Sequence, residues 1–230
     1  MLRPDLTLDV AKAEVGSINE EHSRTILYDS DFAISLGRFV KAAYKPHMPG
    51  DSSVEALKGD AKEALREILG DLNIGKYLNR FCELPGFDYI DYFLGAIDLT
   101  TDLVANAVEH GSGFCTRRGV IVNSYNAENG VILTVDQPLD GQDLNAIYQR
   151  VLAGARPRDF TAPRGYMGIR GVGTSLMVNK KTPYVWSEQI PKGESPYEAS
   201  GGGGTRIIML ETFERVKRVF LVLGIDEPIK

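Results

Sequence analysis

The stretch 119-GVIVNSYNAENGVILTVD-136 contains two β-rich runs, at 119–125 and 130–136, separated by a short segment with the sequence AENG. Branched and aromatic residues favour strands, and an Asn-Gly pair favours a tight reversal between antiparallel strands. We therefore predict a β-hairpin here, at the centre of an antiparallel sheet.

Working outward from this hairpin, the preceding residues carry mostly helical patterns. Helices are predicted at 31–45, from Ser52 or Ser53, at roughly 74–84, and from Tyr89 to His110 with Gly111 as the C-cap. A short strand is predicted at 25–29.

The residues after the hairpin mix both patterns. They predict helices around 142–153 and near 169–180, strands at 183–189 and 205–211, and helix or strand from Phe213. Helices followed by mainly antiparallel strands imply an α/β (α+β) fold, a two-layer sandwich of a mostly antiparallel sheet against helices. We divide the chain into a mainly helical N-terminal extension, 1–84, and an α/β domain, 85–230.

Composition narrows the class of protein. The 230 residues are 43% hydrophobic and 25% charged, enough for one good core or two small ones. A net charge of -5 argues against a nucleic-acid partner, because phosphate backbones are held by clustered Lys and Arg. Two cysteines without metal-site spacing, and no apolar signal or membrane-spanning stretch, predict a cytoplasmic protein with no membrane partner.

The first segment with candidate catalytic or ligand-binding residues is 102-DLVANAVEHG-111, where Asp102, Asn106 and His110 recur every four residues. On a helix these residues share one face. A carboxylate and a carboxamide in one row suit a magnesium-phosphate site, because this hard cation prefers oxygen ligands. Taken singly, the row is more often a solvated helix face, and His110 a residue that favours a helix end.

Asp136 ends an apolar strand and precedes Pro138. A carboxylate fixed at a strand end could accept a hydrogen bond from the amino group of adenine, whereas guanine would direct a carbonyl oxygen at it. Asp136 could therefore select ATP over GTP. A turn aspartate that bonds its own backbone is the ordinary alternative.

Glycines lead into an apolar helix at 168-GIRGVGTSLMV-178. Their backbone N–H groups at a helix start would form an anion cradle, although many glycine-rich turns bind nothing. Thr205 follows Gly204 at the start of a strand and offers a hydroxyl, unless the segment is an ordinary hairpin.

In this order, the elements over 85–211 resemble the GHKL (histidine-kinase-like) ATPase and kinase superfamily, which has the Bergerat fold. Asp102 and Asn106 resemble its E-x-x-x-N box, which implies a catalytic role for Asp102 and a magnesium ligand at Asn106. The resemblance implies adenine binding by Asp136. Further ATP contacts are implied at His110, Gly141, Gly168, Arg170, Gly171, Val172, Gly173, Thr174 and Thr205.

The resemblance implies Mg²⁺-dependent transfer or hydrolysis of the γ-phosphoryl group of ATP, with ADP as product, in bacterial signalling. The single domain is most similar to stand-alone anti-sigma-type kinases; a complete histidine kinase would need a phosphoacceptor, for which His22 and His47 are the candidates in the first 84 residues.

The family's D-x-G-x-G box is altered, because Pro138 and Asp140 follow Asp136 where glycines should stand. That favours the alternative of a degenerate Bergerat-fold module that binds a partner protein without turnover. A third interpretation is an α/β domain whose similarity to the GHKL motifs is accidental. A protein partner is expected and homodimerisation is left open. The nucleotide hypothesis requires Asp102, Asn106, Asp136 and the glycine segment to converge on one pocket.

Overall fold

The hairpin forms as predicted, with β2 spanning Val120–Ala127 and β3 spanning Gly130–Gln137 in antiparallel register. The computed structural model describes residues 1–43, 52–83, 89–111, 119–138, 144–154, 182–190 and 204–221. Three more strands extend the hairpin: β1 (Ile18–Ile26), β4 (Tyr184–Gln189) and β5 (Thr205–Thr212). The sheet has the order β1-β2-β3-β5-β4, and all four pairings are antiparallel.

Seven α-helices lie within the described residues. They are α1 (Leu8–Val15), α2 (Asp31–Ala43), α3 (Ser52–Asp71), α4 (Ile74–Asn79), α5 (Tyr89–Asn106), α6 (Leu144–Leu152) and α7 (Phe213–Val216). One 3-10 turn, Arg80–Glu83, follows α4, and π-helical turns follow α5 (Ala107–Gly111) and α7 (Lys217–Leu221). The α+β sandwich predicted from the sequence is confirmed.

The two faces of the sheet are buried against different helices. Along β3, Val131, Leu133 and Val135 join the large core formed with α2, α3, α4 and α5. Ile132 faces the other way, into a smaller core that includes Ala11 of α1. Successive residues of a strand point to opposite faces, so each central strand contributes to both cores.

Helix α1 was not predicted: five of its eight residues are apolar, but the segment is short and two of the five are alanines, so it shows no clear apolar stripe. Its ends are nevertheless well specified: the Thr7 hydroxyl accepts from the Val10 N–H at 3.2 Å, and Gly16, at φ 75°, ends the helix. Only Ala11 and Val15 are buried within it. Capping and two small apolar contacts therefore define this helix rather than a broad apolar stripe.

The N-terminal residues belong to the sheet and do not form a separate extension. The strand predicted at 25–29 is instead β1, over Ile18–Ile26, and it pairs with β2 along its whole length. Leu2 also forms a bridge with Val185 of β4. The large core contains residues from both sides of residue 84, so the predicted boundary between 84 and 85 does not separate two cores.

Helix α5 lies on the face of the sheet that carries the large core and runs toward the Gln137 end of β3. Near its start, Gly95 lies beside Thr182, just before β4. Further along, the Thr100 hydroxyl lies 3.6 Å from Sδ of Met209, which is level with Leu133. The π turn after α5 contacts β3, β2 and α2. The C-terminal end of α5 therefore points to the edge where β3 ends.

Among the described residues, no helix combines the length and the apolar character needed to cross a bilayer.

Candidate functional site

Two residues of the predicted polar row, Asp102 and Asn106, lie on α5, whereas His110 lies in the π-helical turn that follows the helix. Asp98 adds a residue one turn before Asp102. Asp98 is exposed, Asp102 is 4% exposed, and Asn106 is partly exposed. These three residues recur every four positions, so they share one helix face. Asp98 could have been found by extending the same spacing back by one turn.

Asp102 is an unusual carboxyl group. Its Oδ1 atom is buried and has no hydrogen-bond partner among the residues that the structure describes. Burial raises the pKa of Asp102 to about 7, and the negative charge of Asp98 adds to the increase. A carboxyl group that titrates near neutral pH can both accept and release a proton, as general acid–base chemistry requires.

Asp136 lies on the opposite face of the sheet from α5. Its two carboxylate oxygens accept hydrogen bonds from Nε and Nη2 of Arg206, at 2.8 and 3.0 Å. Glu188 lies 3.6 Å from the same guanidinium. Arg206 precedes Ile207, which belongs to the large core, and Ile208, which belongs to the α1 core, so alternation puts Arg206 on the α1 side.

The expected convergence of Asp102, Asn106 and Asp136 on one pocket is therefore wrong for Asp136. Its oxygens form a buried ion pair on the face covered by α1, and a nucleotide held against α5 would lie on the other side of the sheet. The adenine-binding role predicted for Asp136 is not available to it in this arrangement.

The residue that faces α5 at this strand end is Gln137, which sequence reasoning missed. Alternation from Leu133 and Val135 puts it on the face of the large core. Gln137 is 0% exposed, and neither its Nε2 nor its Oε1 has a hydrogen-bond partner within the described part of the chain. A buried, unsatisfied carboxamide is costly and is uncommon without a function, because its hydrogen bonds to water are lost on burial.

Gln137 stands in a polar row that crosses three strands. Its Cα partner on β5 is Thr205, and the partner of Thr205 on β4 is Gln189. Thr205 is 6% exposed, and its hydroxyl oxygen accepts from Nε2 of Gln189 at 3.4 Å. Thr205 therefore lies beside Gln137, on the face of the large core, and its predicted contact with ATP stays a prediction.

Several predicted contacts lie outside the described residues: Gly141, Gly168, Arg170, Gly171, Val172, Gly173 and Thr174. The anion cradle therefore remains a sequence-based prediction. His110 belongs to the π turn that continues α5, the turn that contacts β2 and β3.

No group of three His, Cys, Asp or Glu side chains that could hold a metal ion occurs in the ranges that the structure describes. Asn106, partly exposed on the α5 row, offers a neutral amide oxygen, a donor type that magnesium accepts when phosphate oxygens and water complete its shell. The donor set thus fits a cation that arrives with a phosphate ligand better than a cation held by protein alone.

On one face of the sheet lie the buried carboxyl of Asp102, whose pKa is raised to about 7, and the amide of Asn106 on the same helix row. At the strand ends lies the carboxamide of Gln137, which has no partner among the described residues, beside Thr205. Such a set can bind a polar ligand that has a neutral, flat part and a charged part. Comparison of the chain with protein-family models, with curated proteins and with solved structures found no match.

Proposed function

We propose that the chain is a nucleotide-binding protein that departs from the GHKL pattern at Asp136, with Gln137 in the place predicted for that residue, and that it holds Mg-ATP between α5 and the strand ends of β3 and β5. The observation that supports this proposal is the presence, on one face of the sheet, of two buried groups without described partners, Oδ1 of Asp102 and the amide of Gln137. Unsatisfied buried polar atoms are rare in native proteins, and a ligand that pairs with them removes their cost.

The two groups suit different parts of a nucleotide. Gln137 is neutral and withdrawn from water, so it suits the edge of a base rather than a charged phosphate. Asn106 is more exposed and would contribute an amide oxygen to magnesium, which would neutralise phosphate charge when bound. Asp102, one helical turn before Asn106, would accept the proton of an attacking water or hydroxyl group.

The reaction in this proposal is transfer of the γ-phosphoryl group to a protein hydroxyl or to water. The O–H bond of the acceptor is lost as its proton moves to Asp102, a new P–O bond forms, and the bond between the γ-phosphorus and the bridging oxygen breaks to release ADP. Catalysis of this kind depends mainly on positioning and charge neutralisation. A carboxyl group with a pKa of about 7 is suited to receiving that proton at neutral pH.

A second candidate function is nucleotide-regulated binding of a protein partner without turnover. It is favoured by Pro138 directly after Gln137, because a proline at this position removes a backbone N–H that could otherwise contact a ligand. In that case the nucleotide would shift the population between conformations with different affinity for the partner.

Thermal unfolding with and without Mg-ATP, followed by a phosphate-release assay, separates these functions. A ligand that binds only the folded chain raises the midpoint. We expect a rise with Mg-ATP, and at least a tenfold loss of phosphate release in Asn106→Ala. Asn145→Ala, at an exposed position on α6, serves as the matched control. A rise without phosphate release contradicts transfer to water, and if no phosphoryl group is transferred to protein either, it supports the binding module. No rise at millimolar nucleotide contradicts both.

A further inference from the structure

Gln137 differs from a carboxylate in one respect that decides which base it can read. A carboxylate only accepts hydrogen bonds, whereas a carboxamide has an acceptor oxygen and a donor nitrogen side by side. In the described part of the chain, neither atom of the Gln137 amide is bound to a protein group. No described group therefore fixes which of the two atoms points in which direction.

We propose that Gln137 is the residue that reads the base, and that it accepts adenine and guanine nucleotides alike. This inference rests on the proposed nucleotide function. For adenine, Oε1 accepts from the 6-amino group while Nε2 donates to N1. For guanine, the amide turns over about its last side-chain bond, so that Nε2 donates to O6 and Oε1 accepts from N1–H.

Three features of the structure favour Gln137, rather than a neighbouring residue, as the one that recognises the base. Asp136, the adjacent carboxylate, is occupied by Arg206 on the other face. Thr205, level with Gln137 on β5, already accepts from Gln189. Gln137 is fully buried, so any hydrogen bond that it makes to a base is shielded from competing water.

Burial also limits the class of ligand. A phosphate at this position would lose its hydration and meet only a neutral amide with a single donor nitrogen, which is unfavourable. A purine edge offers one donor and one acceptor in the spacing of an amide, so a purine can satisfy both atoms at once. Cytosine also offers one of each, but its single ring has less surface for apolar contact than the two rings of a purine.

The test is the affinity of the full-length chain for Mg-ATP, Mg-GTP and Mg-CTP, measured by calorimetry. We expect ATP and GTP to bind within about threefold of each other, and CTP at least tenfold more weakly. In Gln137→Glu, the carboxylate can accept one hydrogen bond from either base but opposes a second acceptor, N1 of adenine or O6 of guanine. ATP and GTP should therefore both lose at least tenfold in affinity, with their ratio unchanged. Gln149→Glu makes the same chemical change at an exposed position on α6 and should leave both affinities unchanged.

Gln137→Met keeps a similar volume and flexibility without hydrogen-bonding atoms, and it serves if the glutamate variant fails to fold. It should weaken ATP and GTP to the same extent. Wild-type protein that prefers ATP by more than tenfold overturns this inference but leaves the proposed function in place, as do unchanged affinities for both nucleotides in folded Gln137→Glu or Gln137→Met. Absence of binding by every nucleotide overturns both.

Discussion

Withdrawal of a carboxyl group from water favours its protonated form, because the charge loses hydration that the protein does not replace. Asp102 is in this situation, with a pKa raised from 3.8 to about 7 by burial and by the charge of Asp98. Between these two pH values the unfolded chain has released the proton and the folded chain still holds it. The folded state binds more protons there, so its stability falls as pH rises.

Asp102→Asn should therefore change stability in a pH-dependent way. Relative to the wild type, we expect the variant to gain free energy of unfolding steadily between about pH 4 and pH 7, by up to about 4 kcal/mol, and to show no further gain above pH 7. Urea unfolding of both proteins across this range measures the difference. The other titrating groups are the same in both proteins, so their contributions to the free energy of unfolding cancel. If the difference in free energy of unfolding between the two proteins does not vary with pH, Asp102 is ionised in the folded state.

For individual residues, the sequence could not predict which of Asp136 and Gln137 lies on the face of the sheet that carries α5. Every residue of β3 is buried, because helices cover one face and α1 covers the other, so the strand shows no alternation of apolar and polar residues. In a strand of that kind the face of a terminal residue cannot be read from periodicity. A shift of one position moves a side chain to the other side of the sheet.

Among the elements, the hairpin strands and the helices from α2 to α5 were predictable because their apolar residues follow a clear period. Strand β1 extends far beyond its prediction, since eight of its nine residues are exposed or only partly buried and many are charged. An edge strand with polar residues on both faces avoids pairing with other molecules, and for the same reason it lacks a hydrophobic pattern.

Gly130, at the start of β3, sits where the backbone of β5 comes very close. A Cβ atom at this position would lie 2.2 Å from the carbonyl oxygen of Glu211 and 3.0 Å from Val15 of α1. Since backbone atoms cannot move aside cheaply, we expect Gly130→Ala to lower the free energy of unfolding by about 3 kcal/mol or more. Chemical denaturation measures this loss.

Gly59 is the matched control for that substitution. It lies within α3, and a Cβ atom there would meet nothing within 4 Å. Alanine is the better helix former, so Gly59→Ala should raise stability by about 0.5–1 kcal/mol. Equal effects of the two substitutions would contradict the close packing of β3, β5 and α1.

For the molecule as a whole, the first 84 residues are part of the folding unit. They supply β1 and α1–α4, and the large core is continuous across that boundary. A fragment comprising residues 85–230 would leave one edge of β2 unpaired and expose much of the apolar face that Phe32, Leu36, Leu65 and Tyr77 help to cover. We expect this fragment to lack a cooperative thermal transition and to aggregate, as measured by calorimetry and size-exclusion chromatography. A soluble fragment with a sharp transition would restore the division into an extension and a domain.

The order of strands in the sheet also governs when the chain can fold during synthesis. The β2–β3 hairpin is local, but its outer partners are distant: Ile18 of β1 pairs with Ala127, and Thr212 of β5 pairs with Gly130. On the ribosome, β1 must wait for β2, and β3 must wait until residues 138–204 have been made before β5 can pair with it. Folding dominated by such remote pairings is slow, and the unpaired hairpin edge is open to wrong partners in the interval. The nascent protein is thus expected to depend on chaperones until β5 has left the ribosome.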